Sequence, residues 1–152
     1  MKIFSQFKAL IAHTILLSFI FCANAQHTDL LELDGFRRAV NSADYLAKVK
    51  VIKVESFQEA DGSQRHVFIA DVVTTYKGST YKQISYEMFV ESGEDLKFNS
   101  APIYLALCKS LSGSYYWPGT GSEFKPTPVI NAWVNENRYS LKLAGTPAAW
   151  CD

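Results

Sequence analysis

The sequence predicts an all-β chain, a small closed or partly open barrel of five to six antiparallel strands accompanied by a short helix. Three observations point there. The segments Tyr45–Val54, His66–Tyr76 and Gln83–Val90 are rich in β-branched and aromatic residues, which suit a half-buried pleated surface, and only turn residues separate them. The apolar phase of the first segment slips midway, from Tyr45, Ala47, Val49 and Val51 on one face to Ile52 and Val54 on the other. A β-bulge near Val51-Ile52 absorbs such a slip and bends a long strand so that it can serve two halves of a small barrel. Third, residues 26–152 make one domain of common size, long enough for a single core.

The chain opens with Met1 to Ala25, where Lys2 and Lys8 precede an apolar run ending at Phe21 and the small residues Ala23 and Ala25. This is the pattern of a signal peptide, with cleavage expected after Ala25. The run is too short, and too interrupted by His13-Thr14, for the roughly 20 apolar residues of a membrane span. Lipid attachment at Cys22 would need small residues where Phe19-Ile-Phe21 stand. The expected organisation is therefore a leader, 1–25, and one domain, 26–152, in a periplasmic or extracellular location. Loss of Lys2 and Lys8 leaves 13 Lys and Arg against 15 Asp and Glu, a formal charge of −2. That balance gives no clustered basic surface for nucleic acid or an anionic membrane. The pair Arg37-Arg38 reads as a solvated helix face.

Within the domain, Leu30, Leu33, Phe36 or Arg37, and Val40 recur at helical spacing, and Asp34 can cap a helix. Gly35 argues against one long helix, so a loose start and a short helical turn over Phe36 to Val40 are expected. The first two strands join through Glu59–Ser63, where Asp61-Gly62 suits the two positive-φ positions of a two-residue hairpin turn. In the second strand Phe68, Ala70 and Val72 are placed inside. Lys77-Gly78 turns the chain into a third strand, in which Ile84, Tyr86, Met88 and Val90 alternate with their neighbours. After the acidic turn Glu91–Asp95, a fourth strand is expected over Ile103–Leu107, with Ile103, Leu105 and Leu107 inward and Cys108 outward. Ser110 to Gly121 reads as an irregular connection, and Pro126-Thr-Pro128 forbids a central strand there. Val129–Val134 and Arg138–Leu143 flank Asn135-Glu-Asn137 as a closing hairpin.

Cys108 and Cys151 are the cysteines that survive cleavage, and an oxidising compartment should join them in one disulfide. Closing that interval removes on the order of 4 kcal/mol of denatured-chain entropy in the loop model. Neither has a Cys-x-x-Cys neighbour or a nearby His that would suggest redox or nucleophilic chemistry.

The order Phe36, Ala43-Asp44, the strand through Ala47-Lys48-Val49, a charged hairpin, Val72 with Tyr76-Lys77-Gly78, a short strand and then Ile103-Tyr104-Leu105 resembles the netrin-like domain of tissue inhibitors of metalloproteinases and their bacterial relatives. The resemblance covers roughly Phe36 to Cys108 and implies an oligonucleotide/oligosaccharide-binding (OB) type β-barrel. It departs where inhibition resides. The animal inhibitors present an N-terminal Cys-x-Cys to the protease zinc, whereas the mature chain here would begin Gln26-His27-Thr28. The resemblance thus implies the family's fold and not its inhibitory wedge.

Chemistry-bearing clusters are sparse. His27 and His66 are the histidines of the mature chain, too few for a zinc site with both cysteines oxidised, and His66 reads as an edge residue. Glu91, Glu94 and Asp95 read as a solvated turn without calcium-loop spacing. There is no Gly-x-Ser-x-Gly elbow and no phosphate-cradling glycine loop. No enzyme, metal or cofactor is expected. The remaining unusual feature is Tyr115-Tyr116-Trp117, three aromatics in a Gly/Ser-rich stretch, which serve either to cover the barrel or to meet a partner. The expectation is an exported monomeric barrel that binds another protein, such as a protease, another hydrolase or a toxin, and inhibits it if the family's role carries over. The alternatives are a carbohydrate- or cell-wall-binding module using the Tyr115–Trp117 stretch for stacking, and a periplasmic immunity protein.

Overall fold

A computed structural model describes residues 28–90, 100–143 and 151. The leader, His27 and the acidic turn Glu91–Asp95 lie outside the described residues. The chain divides into two compact units, 1–34 and 35–152, with the boundary inside helix α1 (28–42). Gly35 therefore sits within a helix rather than ending one, a correction to the short turn expected. Its backbone does not take positive φ, and a Cβ there would meet only Phe124 Cε1 at 3.9 Å.

Six strands follow in the second unit: β1 (Tyr45–Gln58), β2 (Gln64–Lys77), β3 (Gln83–Val90), β4 (Ile103–Lys109), β5 (Tyr115–Tyr116) and β6 (Glu123–Phe124). They are ordered β1-β2-β3-β5-β4-β6, and β1 also pairs with β4. Five strands thus close a barrel and β6 adds to β4, which is the small OB-type barrel expected. The barrel is mixed rather than wholly antiparallel, because β5 runs parallel to β3.

The expected bulge is present. Val51 pairs with Ala70 and Lys53 with Ile69, so Ile52 is the extra residue and stands exposed. The strand keeps its inward face on both sides of the slip. Tyr45, Ala47, Val49 and Val51 join Phe68, Ala70, Ile84, Tyr86, Met88, Leu105 and Leu107 in the interior, with Val54, Val72, Val90 and Ile103 packed at the edges. The inward phases of β2, β3 and β4 are therefore those read from the sequence. The turn between β1 and β2 differs. Gly62 N–H donates to the Glu59 carbonyl at 3.1 Å, and Gly62 alone takes positive φ, while Asp61 accepts from the backbone and hydroxyl of Ser63 at 3.0 and 2.7 Å.

The second correction concerns the C-terminal segment. Helices α2 (Pro128–Glu136) and α3 (Arg138–Leu143) stand where a closing hairpin was expected. Thr127 is the N-cap of α2, its hydroxyl accepting from Ile130 N–H, and Pro128 lies in the first turn where no N–H partner is needed. Ile130 and Val134, one turn apart, are the buried pair of α2. Phe36 of α1 packs 5.4 Å from Tyr104 of β4, 5.1 Å from Phe124 of β6 and 5.7 Å from Trp133 of α2 by ring centroids. A second buried cluster therefore lies outside the barrel wall. Tyr104 Oη donates to Asn131 Oδ1 at 2.7 Å and ties wall to helix.

Candidate functional site

Residues 115–117 enter the fold as part of the wall. The chain leaves β4 through a turn in which Ser110 N–H donates to the Ser114 carbonyl at 2.8 Å and Gly113 N–H to the Ser110 carbonyl at 2.9 Å. Tyr115 and Tyr116 then pair with Lys109 and Cys108 on one side and with Tyr86 and Glu87 on the other. Trp117 N–H donates to the Glu87 carbonyl at 2.8 Å. These two residues of β5 close the barrel.

Their side chains are half-buried. Tyr115 packs on the core, its ring 5.0 Å from Tyr45, and burial together with a hydrogen bond to Tyr81 pushes its hydroxyl pKa up. Tyr81, exposed beside it, has its own pKa lowered chiefly by that bond. Tyr116 Oη donates to the Cys151 carbonyl at 3.1 Å. The Trp117 indole also packs on the core. All three are thus fixed by the barrel, and each exposes only part of its ring.

Cys108 and Cys151 are joined, as expected, with Cα atoms 5.2 Å apart. Cys108 lies on the face opposite Leu105 and Leu107 yet is fully buried. The Asp44 carboxylate comes within 4.8 Å of both sulfurs, but these are bonded to one another and Asp44 Oδ2 accepts from Lys109 N–H at 2.8 Å. The trio offers no thiolate. His66 is buried rather than at an edge, because β2 lies between β1 and β3, and its Nδ1 sits 2.7 Å from Ser56 Oγ.

Two surface features were not singled out in the sequence. On the outer face of β1–β3, Phe57 pairs with Arg65 and Arg65 with Phe89, forming one row across three strands. Phe57 is 42% and Phe89 58% exposed. The Arg65 guanidinium lies 4.7 Å over the Phe57 ring and is held by Glu59 at 2.7 Å and Glu87 at 3.1 Å. Val67 and Ile69 continue the apolar strip along β2, and Ile52 and Val73 stand exposed on the same strands. The signal was in the alternation itself: with Met88 and Val90 inward, Phe89 must point out.

The second feature is a groove of about 370 Å³ where β3 runs past the β4–β5 turn, lined by Tyr81, Gln83, Ser85, Glu87, Ser114 and Tyr115 among others. The chain matches no protein-family model, no curated protein and no solved structure.

Proposed function

We propose that the chain is an exported, non-enzymatic barrel that binds another protein through the outer face of β1–β3. The observation that carries this reading is the row Phe57, Arg65 and Phe89. It sets two exposed aromatic rings on either side of an arginine already fixed by two carboxylates. Aromatic residues and arginine dominate the centres of protein interfaces, and a pre-ordered arginine loses little freedom on binding. The disulfide supports an oxidising compartment, and the leader pattern of residues 1–25 supplies the route to it. Among the described residues no helix is long and apolar enough to cross a membrane.

A partner recovered at equal stoichiometry from the exported fraction should be purified and titrated against wild type, Phe57→Ala and Phe89→Ala. Each substitution should weaken binding by about 2 kcal/mol, roughly thirtyfold, with little change in melting temperature. Undiminished affinity in both variants sinks the reading. One alanine added before Gln26 should leave affinity unchanged, since no cysteine at that end could present it to a metalloproteinase zinc.

A further inference from the structure

We propose that the groove beside β3 takes an extended peptide segment of a partner protein, which pairs with the open backbone of Gln83 and Ser85 as an added strand. The inference rests on the protein-binding reading for the class of partner but uses a different surface from the Phe57–Phe89 row.

The argument begins with which way the β3 backbone faces. Val72 N–H donates to the Lys82 carbonyl at 2.9 Å, so even-numbered positions along β3 bond toward β2. The register Ala70 with Ile84 and Phe68 with Tyr86 continues that series. Trp117 N–H donates to the Glu87 carbonyl at 2.8 Å, so odd-numbered positions face β5. Both bonds give the same alternation. Yet β5 is two residues long, and its pairing with β3 stops at the rung between Tyr86 and Tyr115.

Before that rung the chain has turned away through Ser110–Ser114, with Gly113 at φ 90°. The N–H and C=O of Gln83 and the N–H of Ser85 therefore open into the groove, with no backbone partner across it among the described residues. Such a stretch of sheet edge is a template for another strand. Gln83 to Ser85 spans three residues, about 10 Å at roughly 3.3 Å per residue, which sets the paired length of the guest.

The same residues argue for peptide over sugar. A sugar ring is read mainly by side-chain amides and carboxylates, and here the Gln83 amide nitrogen and one Glu87 carboxylate oxygen are already engaged. Gln83 Nε2 donates to Asp71 Oδ1 at 3.0 Å and Glu87 Oε1 accepts from Arg65 at 3.1 Å. The open backbone of Gln83 and Ser85 is what a peptide complements. The rings of Tyr81 and Tyr115, 6.3 Å apart, offer an apolar resting place for one side chain of the guest.

The test is to pan a random phage-displayed decapeptide library on the full disulfide-bonded protein and to synthesise a selected peptide with each backbone nitrogen methylated in turn. Methylation should weaken binding tenfold or more at the one position whose N–H meets the open Gln83 carbonyl, and should be tolerated elsewhere. The Gln83 and Ser85 amides should gain hydrogen-exchange protection on binding. Ser114→Trp, a substitution on the wall opposite β3 that fills the groove, should weaken the peptide at least tenfold, while Phe89→Ala should not. Tolerance of methylation throughout, a footprint confined to the Phe57–Phe89 row, or failure to select any peptide overturns the inference. The methylation series uses the unaltered protein and decides the matter even if Ser114→Trp does not fold. Failure here, with Phe57→Ala and Phe89→Ala still weakening the purified partner, would leave the outer-face reading standing.

Discussion

At Gly78 the backbone takes φ 83°, and a Cβ there would stand 2.9 Å from Tyr45 Cδ2 and 3.1 Å from the Asp44 carbonyl oxygen. Both the conformation and the space demand glycine. Gly78→Ala should cost about 1–3 kcal/mol in urea unfolding, since left-handed backbone strain adds to a clash with main chain that cannot swing aside. Gly62→Ala should cost less, because nothing lies within 4 Å of its Cβ position and only the φ of 90° is strained. Inside the barrel, Phe68 is buried and stacks on Tyr86 at 4.9 Å, so Phe68→Ala should lose about 3–5 kcal/mol. Val73→Ala, on the outer face, should stay within about 0.5 kcal/mol. Glu123 adds a pH dependence. Its carboxyl pKa is pushed above the ordinary 4.5 by desolvation where the carboxyl meets Tyr86, although the residue as a whole is exposed, and this is only partly offset by the hydrogen bond that Tyr86 Oη donates at 3.2 Å. A carboxyl with a raised folded pKa holds more protons folded than unfolded. Its contribution is therefore full below about pH 4.5 and is lost as pH rises through the folded value. Glu123→Gln should flatten that part of the pH–stability curve, and an unchanged slope would show that the carboxyl is solvated.

Among the elements, β1 to β4 were legible because a period of two reports directly which side of a pleated wall each residue faces. The slip at Val51-Ile52 located the bulge for the same reason. The C-terminal helices were not read, although the cue was present. Thr127-Pro128 is a cap followed by a first-turn proline, a pattern that excludes a strand and equally invites a helix. Removing that cap with Thr127→Ala should cost about 1 kcal/mol, measured by urea unfolding, since Ile130 N–H loses its acceptor. Strand β5 was illegible for a different reason. Two residues carry no periodicity, and Tyr115-Tyr116 become a strand only because β3 and β4 stand on either side of them. The candidate surfaces share this limit. Phe57, Arg65 and Phe89 lie on three strands, and only register brings them into one row.

At the scale of the whole molecule, the bridge between Cys108 and Cys151 fastens the last part of the chain to the end of β4 across a separation of 43 residues. Residue 151 is held by more than sulfur. Its carbonyl accepts from Tyr116 Oη at 3.1 Å, which links the bridge to β5, the strand that closes the barrel. Reduction should therefore loosen the seam between β4 and β5 as well as free the chain end. Replacing both cysteines with serine should remove up to about 4 kcal/mol, the loop-closure entropy regained by the unfolded chain, and lower the melting temperature on the order of 10 °C. The outer row Phe57, Arg65 and Phe89 is built on the β1–β2–β3 meander and meets that seam only through Glu87, which holds Arg65 and pairs with Tyr116. Affinity for a partner held by the row should then survive the double substitution at temperatures where the variant stays folded. Affinity for a peptide in the β3 groove should fall, because Ser114 and Tyr115, on the groove's far wall, belong to the loosened side. Thermal melts and titration of both ligands against the same variant measure the two effects together. Equal loss for both would mean that the bridge orders the whole barrel rather than one seam of it.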